Sequence, residues 1–297
     1  VVWFHRKRRQ KRNAMSQITD PASRMDAVDS VDVLDIPDAV RTKRDSDIDL
    51  ETLRSSLRCI TGKVDKHPKT AAIILAGGSG ERFGKEGGKQ LVEIAGKPVL
   101  TWSAEAFDAV GDVGLIVVVC PEERADEYLK RAIDPFPFVT PVVVAPSGPS
   151  RQESAFSGLE FVPEEFECVI LHDGARPLVP PEVITKAILK AAKFGAAAPA
   201  IPVKDTIKVS KTGAVDETPD RSTLFAVQTP QVFDYALLLG ALQNAKQKGL
   251  SLTDDCSAVE ALGMTVLLTD GSEENIKITT PLDLDIAGLI LKRRQTP

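Results

Sequence analysis

The sequence is poor in the side chains that metal centres and disulfide frameworks require. It holds three histidines and four cysteines in 297 residues. Cys59, Cys120, Cys168 and Cys256 are scattered, with no CxxC pair and no histidine at ligand spacing. This argues against a zinc site and against a disulfide scaffold, and reduced thiols in a cytoplasmic setting are the expectation. No apolar run approaches the ~20 residues needed to span a bilayer. The longest candidate, Val113 to Cys120, reads as a buried strand. A net charge of −5 gives no general attraction to nucleic acid or to an anionic membrane, so neither is an expected partner. A protein of this charge that binds phosphates must gather its arginines and lysines locally.

The apolar fraction of 43% is ordinary for a globular chain and permits a sizeable core. The length suits one large α/β domain with an appendage, or two modest domains. There is no internal repeat. Residues 1–69 differ from the rest. Arg6, Lys7, Arg8, Arg9, Lys11 and Arg12 form a basic cluster, and Asp26, Asp29, Asp32, Asp35 and Asp38 recur at every third position. The aspartates lack the glycine and closing glutamate of a calcium loop. Organelle targeting is poorly supported, because transit peptides avoid acidic residues. The chain starts with Val1, and Met15 or Met25 is an alternative start. The segment reads as a disordered N-terminal extension.

From Thr70 onward strands alternate with helices. Strands are expected at Thr70–Leu75, Val113–Cys120, Pro141–Ala145, Cys168–His172, Ala196–Ile201, Thr265–Thr269 and Asn275–Thr279. Helices are expected at Pro98–Val110, Pro121–Ala132, Gln152–Leu159, Pro181–Phe194, Tyr235–Lys248, Asp254–Leu262 and Leu282–Leu291. This alternation implies an α/β fold: a doubly wound, mostly parallel sheet with ligands at the carboxyl ends of its strands. Residues 202–226, polar and rich in lysine, interrupt the rhythm and read as a protruding β-hairpin arm.

The run from Leu75 to Gly84, with Gly77, Gly78 and Gly80, directly follows the first strand. Small residues let backbone N–H groups approach phosphate oxygens, and Arg82 adds a planar cationic fork. The run is neither a Walker A loop, having no Ser or Thr after Lys85, nor a GxGxxG fingerprint, because Phe83 stands at the third glycine. Lys89 supplies a second cation shortly after it. A nicotinamide-dependent dehydrogenase would need an acidic residue after the second strand, which instead ends Val119-Cys120-Pro121. His172 is a lone histidine at a strand end and suits a structural hydrogen bond. Cys256 suits packing.

Further motifs follow in order: Arg151-Gln152-Glu153-Ser154, His172-Asp173-Gly174-Ala175-Arg176-Pro177, Pro202 to Lys208, Gln228 to Phe233, Thr253-Asp254-Asp255 and Asn275 to Thr279. Together with the glycine loop they closely resemble the 2-C-methyl-D-erythritol 4-phosphate cytidylyltransferase family of non-mevalonate isoprenoid synthesis, over about residues 70 to 292. The resemblance implies a Rossmann-like nucleotidyltransferase fold that transfers CMP from CTP to a polyol phosphate and releases pyrophosphate. It leaves ribitol 5-phosphate open as the acceptor, and a non-catalytic dimer module remains a more distant alternative. It implies that Ala76, Gly77, Gly78 and Gly80 hold the nucleotide, with Ser154, Asp173 and Ala175 lining its pocket. It implies that Arg82, Lys89 and Lys277 surround the α-phosphate as catalytic residues, and that Asp173 holds Mg²⁺ or another divalent cation. Arg176 matches the family's motif arginine and is expected near substrate. Thr206 and Arg221 lie on the arm, which in this family interlocks in a homodimer, so both would hold the acceptor phosphate in the partner's site. The chain departs from the family pattern at Gly87-Gly88, where a proline usually precedes the Lys-Gln pair, and at Leu91, usually aromatic. Gly88 is expected to loosen the Lys89 turn.

Overall fold

A computed structural model describes residues 67–78 and 88–295. The basic cluster and the aspartate ladder lie outside the described residues. The chain divides after Lys63, and His67 to Lys69, placed with the extension from sequence, pack on the domain instead. The Lys69 carbonyl accepts from Glu167 and Cys168 N–H, its Nζ lies 4.6 Å from the Phe166 ring centroid, and His67 Nδ1 is 3.1 Å from Asp112.

The strands are β1 Thr70–Leu75, β2 Glu93–Ile94, β3 Lys97–Pro98, β4 Val113–Cys120, β5 Val142–Pro146, β6 Cys168–Asp173, β7 Ala196–Pro202, β8 Phe225–Val227, β9 Gln231–Asp234 and β10 Leu267–Asp270. The helices are α1 Val99–Asp108, α2 Ala125–Tyr128, α3 Arg151–Leu159, α4 Pro181–Phe194, α5 Tyr235–Gln247, α6 Cys256–Ala261 and α7 Pro281–Gln295. Among the described residues the main sheet runs β10-β7-β9-β6-β1-β4-β5, with β8 on β7. The pairs β6/β1, β1/β4, β4/β5 and β7/β10 are parallel, whereas β9 is antiparallel to both neighbours. The α/β, mostly parallel expectation therefore holds. The central strands read as near-continuous apolar runs because both faces are covered.

On one face α1, α4 and the segment around α2 pack on Ile74, Ile116 and Val118. On the other, α3 lies so close that a Cβ at Gly158 would stand 2.5 Å from Ile73 Cγ2 and 3.0 Å from Val119 Cγ2. Local signals start and stop the helices. Ser150 caps α3 by accepting from Glu153 N–H, Asp234 caps α5 through Leu237 N–H, Pro181 opens α4 and Gly195 at φ 89° closes it.

Three expectations are corrected. The polar helix over Pro121–Ala132 is a 3₁₀ turn at Glu122–Arg124, the single α turn α2 and a π-helical stretch at Leu129–Ile133. Asn275–Thr279 joins no sheet; it runs as an extended loop held by Ile278 N–H to the Ala175 carbonyl at 2.8 Å. β9, unexpected as a strand, separates β6 from β7. The arm is rooted in the antiparallel β7/β8 pair and closed further out by a Val209–Glu217 bridge, with irregular backbone between.

Gly158→Ala is expected to lower folding stability by about 2 kcal/mol through overpacking. Gly111→Ala, whose added Cβ meets nothing within 4 Å, is the control. Chemical denaturation checks this, and equal stabilities would show that α3 does not sit hard on the sheet.

Candidate active site

The carboxyl edge of the sheet is where the loops converge. Ala76 leaves β1 with its N–H on the Val119 carbonyl at 2.7 Å, and Ser147 leaves β5 with its N–H on the Cys120 carbonyl at 2.7 Å. The two loops touch, since a Cβ at Gly77 would fall 2.4 Å from Ser147 Cβ. Ser154 secures the second loop: its hydroxyl accepts from Gly148 N–H at 3.1 Å and lies 3.3 Å from the Gly148 carbonyl. Gly174 N–H donates to the Leu75 carbonyl at 2.9 Å, which sets the end of β6 beside the glycine loop.

Asp173, the last residue of β6, is 7% exposed. Its carboxylate accepts from Arg151 Nη1 at 2.6 Å and Lys277 Nζ at 2.8 Å, with Arg176 Nε at 3.5 Å. Burial alone would raise its pKa, but Arg151, Lys277 and Arg176 outweigh that and hold the carboxyl well below the usual range. Arg151 also donates from Nη2 to Asp255 at 2.7 Å. Burial raises the Asp255 pKa despite that bond. For Arg151 burial is again the largest influence, yet the two carboxylates overcome it and fix the charged form. Arg176 donates from Nη1 to the Asn275 carbonyl at 2.7 Å, and the Asn275 amide donates to Gln228 Oε1 at 3.1 Å and to the Thr229 carbonyl at 2.9 Å. The loop bearing Lys277 is thereby fastened at both ends, at Asn275 and at Ile278.

His172 is wholly buried. Its Nε2 donates to the Arg176 carbonyl at 3.1 Å, so Nδ1 is free to accept from the Thr229 hydroxyl at 3.0 Å. That hydroxyl in turn accepts Asp173 N–H at 3.1 Å. Burial pushes the imidazole down to about 4, so it stays neutral at pH 7 and orders this chain of bonds. The structural expectation for His172 matches the geometry, and Cys256 is buried as packing would have it.

The structure thus joins Asp173, Arg176 and Lys277 directly, with Ala175 between them and Ala76, Gly77, Gly78 and Ser154 on the adjoining loops. Gly80 and Arg82 lie outside the described residues. Lys89 opens a 3₁₀ turn at Lys89–Leu91 and is half-buried. Thr206 and Arg221 are exposed on the arm, outside the Asp173 cluster, where Arg221 Nη1 donates to the Lys204 carbonyl at 2.9 Å. Gly88 is buried at φ 76°, ψ 132°, backbone that proline cannot adopt. The glycine here is a conformational requirement of the turn rather than a loosened proline site. Arg151, Asp255, Thr229, Gln231 and Asn275 were missed as site residues, although each lies inside a motif already singled out. Gln231 Oε1 accepts Asp255 N–H at 3.1 Å and its amide donates to Asp254 at 2.7 Å.

A compensated carboxylate beside the start of the glycine loop, with Arg151, Arg176 and Lys277 gathered on it and no acidic residue closing β4, suits a nucleotidyltransferase rather than a dehydrogenase. Comparison with known proteins sharpens that class. The family model "IspD: 2-C-methyl-D-erythritol 4-phosphate cytidylyltransferase" matches residues 70–293. A protein of that name from Desulforamulus reducens is 46% identical over 228 residues, covering 75% of this chain and 96% of its own. One from Synechococcus elongatus is 42% identical over 225 residues, covering 75% and 96%. The crystal structure of 4-diphosphocytidyl-2C-methyl-D-erythritol synthase from Anaerococcus prevotii superposes with a TM-score of 0.68 at 28% identity, covering 80% of this chain and 99% of that one. The Thermus thermophilus cytidylyltransferase gives 0.62 at 31%, covering 75% and 98%. The chain belongs to the 2-C-methyl-D-erythritol 4-phosphate cytidylyltransferase family.

Arg151→Gln strips a charge from two buried carboxylates and is expected to lower stability by about 3 kcal/mol. Adding Asp255→Asn should recover part of that loss, because one orphaned charge is then gone. Urea denaturation of the two singles and the double checks it; strictly additive losses would show that the pair is not coupled.

Proposed function

We propose that this chain transfers CMP from CTP to 2-C-methyl-D-erythritol 4-phosphate, giving 4-diphosphocytidyl-2-C-methyl-D-erythritol and pyrophosphate. The observation that carries the reading is the convergence of Asp173, Arg176 and Lys277 beside the Ala76–Gly78 loop, in a chain of this family. The relatives reported above are named for methylerythritol phosphate, which favours that acceptor over ribitol 5-phosphate.

An oxygen of the acceptor phosphate attacks the α-phosphorus of CTP, and the bond to the β-phosphate breaks as pyrophosphate leaves. A phosphate monoester near pH 7 is largely dianionic and needs no general base, in keeping with a neutral, fully bonded His172. The chemical difficulty is the approach of two anions, so the protein acts by positioning and charge stabilisation. The glycine loop is assigned from its sequence to offer backbone N–H groups. Lys277, 41% exposed at its side chain, is held at the site's edge by Asp173 and can turn its ammonium toward a phosphate. Lys89, in the turn that follows the loop, and Arg82 are assigned to the same phosphate from their motif.

Asp173 suits a divalent cation such as Mg²⁺. Among the described residues no group of three His, Cys, Asp or Glu could cage a metal, and one carboxylate plus substrate phosphates is how Mg²⁺ is commonly held. Bound there, the ion would neutralise phosphate charge. Both Asp173 oxygens are engaged here by Arg151, Lys277 and Arg176, so an ion bound there would take the place of one of these cations, Lys277 being the most exposed of the three.

The arm supports a homodimer. Ile207, Val209, Val215, Phe225 and Val227 are all exposed on it, more apolar surface than a small protrusion leaves uncovered in a monomer. Thr206 and Arg221 then reach the acceptor phosphate of the neighbouring subunit. Among the described residues no helix is long and apolar enough to cross a membrane.

Lys277→Ala is expected to lower turnover by roughly 10²–10³-fold, measured as pyrophosphate release from CTP; near-normal turnover would remove the lysine from the mechanism. Arg221→Ala and Thr206→Val should chiefly raise KM for the polyol phosphate. Mixing Arg221→Ala with Lys277→Ala subunits should restore activity through dimers in which one site is intact. Failure of that mixture to recover any activity would sink the shared site.

A further inference from the structure

We propose that Tyr128 is a positioning residue for this reaction: its hydroxyl holds the Ala76 carbonyl, at the root of the nucleotide loop, and packs beside the buried Gly88 turn that carries Lys89. The inference rests on the nucleotidyltransferase reading above and assigns a role to a side chain that touches no substrate.

Tyr128 ends α2, at the junction with the π-helical stretch, and is 1% exposed. Two side chains of this irregular segment, Tyr128 and Arg131, hydrogen-bond backbone on either side of the glycine loop, and Arg124 braces the tyrosine. Tyr128 Oη donates to the Ala76 carbonyl at 3.2 Å. Arg131 Nη2 donates to the carbonyl of Leu91, the last residue of the Lys89 turn, at 3.2 Å. The Arg124 guanidinium lies 5.4 Å from the Tyr128 ring centroid and is fixed by Glu127 at 2.9 Å. π-Helical insertions are frequent at functional sites, and here the widened turn lets a tyrosine and an arginine from one segment hold two different stretches of backbone.

Gly88 completes the contact. A Cβ at Gly88 would stand 3.2 Å from the Tyr128 hydroxyl oxygen, 3.3 Å from Arg124 Nη1 and 3.1 Å from Gln90 Oε1. The space that a side chain at residue 88 would need is therefore filled by the hydroxyl and its neighbours. Gln90 is 2% exposed, its Oε1 has no hydrogen-bond partner among the described residues, and its amide nitrogen would be 3.8 Å from a Cβ at Gly78. The Lys89–Leu91 turn thus packs near both the tyrosine and the start of the nucleotide loop. Ala76 has both its backbone groups committed, N–H to Val119 and carbonyl to Tyr128, so the loop leaves β1 in one direction. Burial pushes the phenol up to about 12, which keeps the donor proton in place at working pH.

Tyr128→Phe retains the ring and removes the donor. Leaving one buried acceptor unsatisfied is expected to lower kcat, and the affinity for CTP measured by calorimetry, by roughly tenfold. KM for the polyol phosphate, whose residues sit on the arm, should stay unchanged. A purely structural tyrosine would lower the melting temperature and leave kcat and CTP affinity at wild-type values, and that result overturns the proposal. If the phenylalanine variant does not fold, Arg131→Gln is read the same way, because it releases the Leu91 carbonyl of the same turn: reduced kcat and CTP affinity with unchanged acceptor KM supports the proposal, and wild-type kinetics, showing that holding the turn does not matter, overturns it. Wild-type protein that neither binds CTP nor releases pyrophosphate would instead refute the underlying functional reading.

Discussion

The site depends on keeping one carboxylate ionised in a place where water barely reaches it. Asp173 is almost fully buried, and an uncompensated charge there would cost several kcal/mol. Compensation comes from three separate segments: Arg151 at the start of α3, Arg176 in the turn after β6, and Lys277 in the loop before α7. Arg151 also answers Asp255, so the cluster sets three cations against two carboxylates and leaves one positive charge over. That surplus sits at the end of β6, beside the start of the glycine loop. A single electrostatic requirement therefore ties the folding of distant connections to the capacity to hold phosphate.

Much of the scaffold was legible because it is over-specified locally. β1, β4 and α4 match their expected bounds, since apolar runs rich in β-branched residues, or a Pro181 start and Gly195 stop, leave little choice. Legibility failed where one pattern serves two backbones. In Asn275–Thr279 the alternation of Ile276, Lys277 and Ile278 looks like a strand, yet the two isoleucines pack in the small core with α7 and no neighbour pairs along the backbone. In 121–134 the spacing of Ala125, Leu129, Ala132 and Ile133 buries one face equally well on 3₁₀, α or π geometry. β9 is four residues long, too short for a period to register.

The charged members of the site could be read from motifs, but their pairings could not. Arg151 and Asp255 lie 104 positions apart, and only the packing of both α3 and α6 on α5 makes them partners. Arg151 reads as the first residue of a polar helix, and nothing local distinguishes it from Gln152 next to it. Tyr128 is a stronger case of the same limit, being one aromatic on what looked like a surface helix. Its meaning depends on where β1 and the Lys89 turn arrive from elsewhere in the chain.

The reversed polarity of β9 has a consequence for how the ligand edge is stocked. In an all-parallel sheet every strand offers that edge its last residues, and each successive strand needs a crossover to return. β9 runs the other way between β6 and β7, so it delivers its opening residues there instead. Gln228 and Thr229 arrive at the edge without a helix, directly from β8 at the foot of the arm. The stretch that leaves the arm is therefore the same stretch that hydrogen-bonds His172, Asp173 and Asn275. A strain applied to the arm, such as engagement by another subunit, has a path of five residues or so of continuous backbone, roughly 3.3 Å each, to the carboxylate at the centre of the site.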